Sequence, residues 1–189
     1  MSDVLLRQPI RAHLQELRRR MLWCLMALLT GATVGYVIKD QLLQALVQPL
    51  GKTLYYMSPG GGLSLVIQLC LCFGLIVTTP FVMFHVTRFI APVLPGYSVR
   101  SLTGILVASC LLIAVGVAFA YSVGLPAALS FLSEFSNDRI QALISADTYS
   151  RFVAIYLAGF AMIFQLPLVL IIASRFVPIR TRTLLATTK

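Results

Sequence analysis

The sequence predicts an all-α integral membrane protein: a bundle of four transmembrane helices with both termini in the cytoplasm. Three observations predict it. Of the 189 residues, 59% are hydrophobic and only 11% charged, with a mean hydropathy of +0.91, whereas soluble domains carry about a quarter charged residues. Four apolar runs, at about 21–38, 63–86, 102–125 and 152–174, have no Asp, Glu, Lys or Arg inside them, and each approaches or exceeds the ~20 residues that cross a hydrocarbon core. The basic residues between the runs are unevenly divided, which sets the orientation.

The first segment, 1–20, carries Arg7, Arg11, Arg18, Arg19 and Arg20. The run at 21–38 follows directly. It is long for a signal-peptide core and is not followed by a good small-residue cleavage site, so it reads as an uncleaved anchor. The first connection, 39–62, holds Lys39, Asp40 and Lys52. Leu42, Leu43, Leu46, Val47 and Leu50 fall at helical, one-sided spacing there, which predicts a short amphipathic helix lying on the membrane or capping the bundle. The flexible Pro59-Gly60-Gly61-Gly62 then leads into the second run.

The second connection, 87–101, carries Arg88 and Arg100 and no acid. The third, 126–151, carries Arg139 and Arg151 with Glu134, Asp138 and Asp147, which makes it the most solvent-facing part of the chain. The tail, 175–189, carries Arg175, Arg180, Arg182 and Lys189 without an acid. Segments 1–20, 87–101 and 175–189 are thus the basic side, and the rule that cytoplasmic loops carry the excess Lys and Arg places them in the cytoplasm. The continuous rather than alternating runs exclude a transmembrane barrel.

A formal charge of +9 would suggest nucleic acid on a soluble protein. Here the basic residues flank spans, no stacking platform accompanies them, and nucleic acid is excluded as a partner. Cys24, Cys70, Cys72 and Cys110 all lie inside apolar runs. The Cys70-Leu71-Cys72 spacing suits neither a redox nor a zinc pair, and buried thiols behave as small hydrophobes. No metal and no cofactor is expected.

One tract stands out: Arg11-Ala12-His13-Leu14-Gln15-Glu16-Leu17-Arg18-Arg19-Arg20. Glu16 is an isolated carboxylate among arginines at the edge of a span. A carboxylate accepts paired hydrogen bonds from a guanidinium, so Glu16 is a candidate receptor for a cationic ligand. The plain alternative is a helix-surface pair with Arg19 or Arg20, worth a few tenths of a kcal/mol.

Further along come Gln48-Pro49-Leu50, then Phe89-Ile90-Ala91-Pro92-Val93-Leu94 after the second run. The third run ends Gly116-Val117-Ala118-Phe119-Ala120-Tyr121, followed by Pro126 and Phe131-Leu132, and the fourth contains Phe160 and Phe164-Gln165-Leu166-Pro167. Together with His13-Leu14-Gln15-Glu16-Leu17-Arg18, this ordered set resembles the TatC family, the multispanning receptor subunit of the twin-arginine protein translocase.

The resemblance implies a curved, glove-like bundle, which in the family has six spans. It implies recognition of twin-arginine signal peptides at the cytoplasmic face and assembly with single-span partners of the TatA and TatB type into a hetero-oligomer. Folded proteins are then exported using the proton-motive force, with no enzymatic role for this subunit. The implied location is the bacterial cytoplasmic (inner) membrane, with an organellar membrane as a further possibility. By the same resemblance Glu16, Arg18, Phe89 and Pro92 belong to the signal-binding face, and Gln165, Tyr121 and Pro49 to partner docking.

Three departures accompany the match. The chain ends just after the fourth span, where the family continues. Ser98 stands where the family usually has an acid in the second cytoplasmic loop, and Gln165 where it often has a glutamate. A truncated or degenerate TatC-like protein without transport activity is therefore the alternative reading.

Each candidate also has a structural reading. Gln165 is either a docking point for a polar residue of a partner or glue within the bundle, and Gln68 has the same two readings. Tyr121 is an interfacial belt residue or a partner contact, and Phe89 and Pro92 are interfacial anchors or part of the signal face. Arg18 is a topology determinant or part of the same surface as Glu16. Pro80, Pro126 and Pro167 are candidate kinks. A secondary transporter would need intramembrane charges or inverted repeats, and neither is present. A membrane enzyme would need a catalytic motif or a carboxylate pair within a span, and there is none.

Overall fold

The computed structural model describes residues 10–51, 53–90, 99–134 and 144–174. Seven α-helices make up the described chain: α1 (Ile10–Val37), α2 (Lys39–Val47), α3 (Gly61–Ile90), α4 (Val99–Phe119), α5 (Leu125–Ser133), α6 (Ala146–Ile163) and α7 (Leu166–Ser174). A π turn, Ala120–Gly124, joins α4 to α5. Four stretches are long and apolar enough to span a membrane: Leu14–Val37, Gly61–Phe89, Leu102–Ser133 and Ala146–Ser174. No strand forms among the described residues; one isolated bridge pairs Tyr55 with Ser145.

Helix α3 is the central post, with α1, α4 and α6 all packed on it. The α1–α3 crossing is made by small residues, which let membrane helices approach backbone to backbone. Gly31 and Gly35 of α1 lie against Gly74 and Cys70 of α3; a Cβ on Gly31 would fall 3.1 Å from Gly74 Cα. Pro80 sits inside α3, which nevertheless continues unbroken to Ile90.

The helices extend beyond the apolar runs. The helix containing the first run begins at Ile10, about a dozen residues before the arginine tract gives way to apolar sequence, because polar residues continue a helix outside the hydrocarbon as readily as apolar ones. The third spanning helix continues through the π turn to Ser133, so the connection expected to start at 126 opens as helix. Pro126 explains the π turn: it has no N–H and its ring crowds the carbonyl four residues back, and local widening relieves both. Tyr156 presses on the same place, since a Cβ on Gly124 would lie 2.6 Å from its hydroxyl oxygen.

The fourth span is two helices rather than one. It opens at Ala146, with Asp147 in its first turn, and breaks at Phe164 and Gln165 before α7 resumes. Pro167 cannot donate to the carbonyl of Ile163, so the last α6 carbonyls turn inward to Phe164 and Gln165 instead.

The amphipathic segment predicted in the first connection is α2, and it caps the bundle. Leu46 is 4% exposed and packs with Leu65, Leu125, Tyr149 and Val153. A helix leaves its last four carbonyls unpaired, and all four of α2 find donors here. Gln48 N–H donates to Gln44 O and Leu50 N–H to Val47 O. The Tyr121 hydroxyl donates to Ala45 O at 2.8 Å, and the Tyr149 hydroxyl to Leu46 O at 3.0 Å.

Candidate functional site

The start of α1 and the end of α3 meet at one end of the bundle, and Arg20 joins them. Its Nε donates to Glu16 Oε1 at 3.1 Å, and its Nη2 donates to the same oxygen. Its Nη1 donates across to the His85 carbonyl at 3.2 Å, and the guanidinium lies over the Phe89 ring, 5.9 Å from the centroid. The side chain of Arg20 is 15% exposed, that of Glu16 45%. Of the two internal partners open to Glu16, the fourth-residue one is taken. As a half-exposed helix pair it contributes only a few tenths of a kcal/mol. Its geometric effect is larger, because the same guanidinium also contacts α3, at His85 O and the Phe89 ring.

Below this charged rim lies a groove of about 1070 Å³. Its floor is α3, from Leu75 to Phe89; its walls are α1, from Leu14 to Leu28, and the α6–α7 junction, from Met162 to Val169. The lining is apolar except near the rim, where Arg18 and Arg20 contribute, and at Thr78, Thr79, His85 and Gln165. The groove lies between α1, which crosses α3 closely at Gly31 and Gly74, and the α6–α7 junction, where the fourth span breaks at Phe164. A Cβ on Gly116 of α4 would lie 2.8 Å from the Phe164 ring, so the break is seated against bare backbone.

The remaining candidates are distributed as follows. Arg18 is exposed on the groove rim. Gln165, 3% exposed, is bonded at both ends of its amide: it accepts from Ser109 Oγ at 2.9 Å and donates to Ser109 O at 3.1 Å. These bonds tie the fourth span to α4. Tyr121 and Pro49 are at the opposite end of the bundle from Glu16, Tyr121 holding α2 and Pro49 in the turn that follows it. Pro92 and Ser98 lie outside the described residues. Glu16 and Phe89 are therefore linked through Arg20, and Tyr121 and Pro49 form a separate region.

Sequence reasoning missed a polar cluster at that far end. Asp147 Oδ1 accepts from Ser64 Oγ at 2.6 Å and from Gln68 Nε2 at 2.8 Å, and Ser150 Oγ donates to Gln68 Oε1 at 3.1 Å. Gln68 is thus engaged within the bundle, between α3 and α6. The signal was the spacing: Ser64 and Gln68 are one turn apart, as are Asp147 and Ser150, so each pair shares a helix face. It left open whether Arg19 or Arg20 pairs with Glu16, and it did not reach the contacts of Arg20 with α3.

The fold and site define a polytopic helical membrane protein with a concave apolar groove and a carboxylate–arginine rim. Residues 12–189 match the family described as Sec-independent protein translocase protein (TatC), and the chain belongs to that family. It is 30% identical over 174 residues to the TatC protein of Aquifex aeolicus, covering 88% of this chain and 72% of that one. It is 29% identical over 173 residues to that of Escherichia coli K12, covering 87% and 66%. To the TatC protein of Synechocystis it is 30% identical over 161 residues and spans 63% of its length, so part of each relative has no counterpart here. The fold superposes with a TM-score of 0.80 and 29% identity on a crystal structure described as the twin arginine translocase receptor TatC in DDM, over 92% of this chain and 80% of that one. A second crystal structure of that receptor gives 0.73 and 30% identity. Family membership places the chain in Sec-independent protein translocation, as a multi-pass inner-membrane protein of a transport family rather than an enzyme.

Proposed function

We propose that this chain is a receptor subunit of a twin-arginine translocase, with the Glu16 end facing the cytoplasm. The observation that carries the reading is the continuity of site and groove: the arginine that Glu16 holds, Arg20, lines the rim of an apolar groove of about 1070 Å³. Export signals combine a basic region with an apolar one, and the same two chemistries lie side by side here in the same order. Glu16 pairs with an arginine of the signal, Phe89 and Arg18 border it, and the apolar stretch lies along α3. The crystal structures that share this fold are described as the twin arginine translocase receptor, which supports the same role. The orientation follows from the excess of arginines at the Glu16 end. Single-span TatA- and TatB-type subunits are the proposed partners, with Gln165, Tyr121 and Pro49 as their candidate contacts.

The test is photo-crosslinking of a twin-arginine signal peptide, and of its Lys-Lys variant, to the membrane-embedded chain and to Glu16→Ala. Capture is expected to require both the arginine pair and Glu16. Equal capture of the Lys-Lys peptide, or unchanged capture by Glu16→Ala, overturns the receptor reading.

A further inference from the structure

Arg20 offers Glu16 the same chemistry that an arginine ligand would. Two of its guanidinium donors converge on Glu16 Oε1, as a ligand's would. Unlike Arg18 and Arg19, which are exposed, it is held in place by contacts on a second helix: the His85 carbonyl at 3.2 Å and the Phe89 ring. A side chain anchored to α3 does not leave when its bond to Glu16 breaks. It stays beside the carboxylate, ready to pair again.

We propose that Arg20 is an internal occupant of the recognition carboxylate, an autoinhibitory contact that sets the affinity of the site. This inference rests on the receptor reading above. A ligand guanidinium takes the Oε1 position only in the fraction of molecules where Arg20 has released it. Apparent affinity is reduced by that fraction, and equally for every cationic ligand that uses the position. The contact therefore sets how tightly the site binds and leaves to Glu16 and the ligand's own donors how it distinguishes arginine from lysine. An occupied resting state also keeps the carboxylate paired at the edge of the membrane, where a lone charge is unfavourable.

The opposite role is a positioning one, in which Arg20 merely aims Glu16 and its loss weakens binding. The two roles predict opposite signs. The experiment is fluorescence anisotropy of a labelled twin-arginine signal peptide and its Lys-Lys variant, titrated with the full chain in nanodiscs. Arg20→Gln is expected to tighten binding of both peptides about threefold, the scale of a partly exposed ion pair, leaving their ratio unchanged. Arg19→Gln removes the same charge from an exposed neighbour and controls for the general field; its gain is expected to be well under that of Arg20→Gln. In a Glu16→Gln background the gain from Arg20→Gln is expected to vanish. Arg20→Lys keeps the charge without the planar pair of donors, and is expected to tighten binding less, with the same sign.

Weaker binding by both Arg20 variants at unchanged helicity and melting temperature overturns the proposal in favour of positioning. Equal gains from Arg19→Gln and Arg20→Gln overturn it in favour of general electrostatics. If Glu16→Gln alone leaves twin-arginine binding unchanged, the receptor reading falls with it. If Glu16→Gln weakens binding while Arg20→Gln does not strengthen it, the receptor reading stands and the occupant proposal falls.

Discussion

Gly31 and Gly74 meet backbone to backbone where α1 crosses α3. A Cβ on Gly74 would come within 2.9 Å of Ala32 N and 3.0 Å of Leu28 O, and a Cβ on Gly31 within 3.1 Å of Gly74 Cα. These are main-chain atoms with no rotamer to yield, so a methyl group at Gly74 separates the helices. Gly74→Ala is expected to destabilise the bundle by about 1–3 kcal/mol, the usual range for overpacking. The measurement is thermal unfolding in detergent. Because the same crossing aligns Arg20 with the end of α3, the variant is also expected to lose signal-peptide crosslinking.

The Gln165–Ser109 pair joins the fourth span to α4 by two hydrogen bonds. Gln165→Leu is expected to cost about 0.6–2 kcal/mol, the range for interhelical bonds in membranes. Ser109→Ala removes one of the two bonds and should cost less. In a double-mutant cycle the two changes should be less than additive, since the second removes nothing that the first has not already broken. Strict additivity would mean that the pair is not coupled.

Asp147 gathers Ser64 and Gln68 of α3 onto the first turn of α6. Asp147→Ala takes this acceptor from Ser64 Oγ and leaves Gln68 Nε2 only its bond to Ser64 Oγ, so it is expected to lower stability. Asp147→Asn keeps an acceptor oxygen and should recover most of that loss. Chemical denaturation of the purified chain, with helicity as the readout, distinguishes them.

Tyr121 and Tyr149 supply the hydroxyls that close two adjacent carbonyls at the end of α2. Removing both, as Tyr121→Phe with Tyr149→Phe, is expected to speed hydrogen exchange across α2 about thirtyfold, in line with ~1 kcal/mol for each of the two hydrogen bonds. Exchange in the centre of α3 should not change. Uniform acceleration in both helices would instead indicate global destabilisation.

Much of the architecture was legible in the linear pattern, for particular reasons. Apolar runs of about 20 residues have few soluble alternatives, so the four spans followed from hydropathy. Leu42, Leu43, Leu46, Val47 and Leu50 marked α2 by helical spacing, but that spacing fits both a helix on the membrane surface and one on the bundle. Only the position of Leu46 against Leu65, Leu125 and Tyr149 decides for the bundle. The prolines marked possible breaks without ranking them. Pro80 leaves α3 continuous, whereas Pro167 accompanies a true break. The distinction lies in the neighbours, since Phe164 is seated where Gly116 leaves room for it.

Glu16 was visible because a lone acid among arginines is conspicuous in sequence. Its partner was ambiguous, since Arg19 and Arg20 both lie within reach on one helix. Helix geometry alone cannot choose between them. The choice falls to Arg20 because its third donor and its guanidinium face find His85 O and the Phe89 ring, 65 or more residues away. Gln165 and Gln68 were equally visible as polar atoms in apolar runs. Their partners Ser109 and Asp147 lie 56 and 79 residues away along the chain.

The sequence by itself determined what must be buried in lipid, which end carries the excess of positive charge, and that a carboxylate, Glu16, stood within the arginine tract at that end. Those properties depend on composition and on periods of a few residues, which the chain displays locally. The tertiary structure alone decided which polar groups meet, where the spans break, and that the arginine paired with the carboxylate borders an apolar groove. These depend on how closely helices approach, and that is set by bare glycine backbones and by hydrogen bonds between residues far apart in the chain.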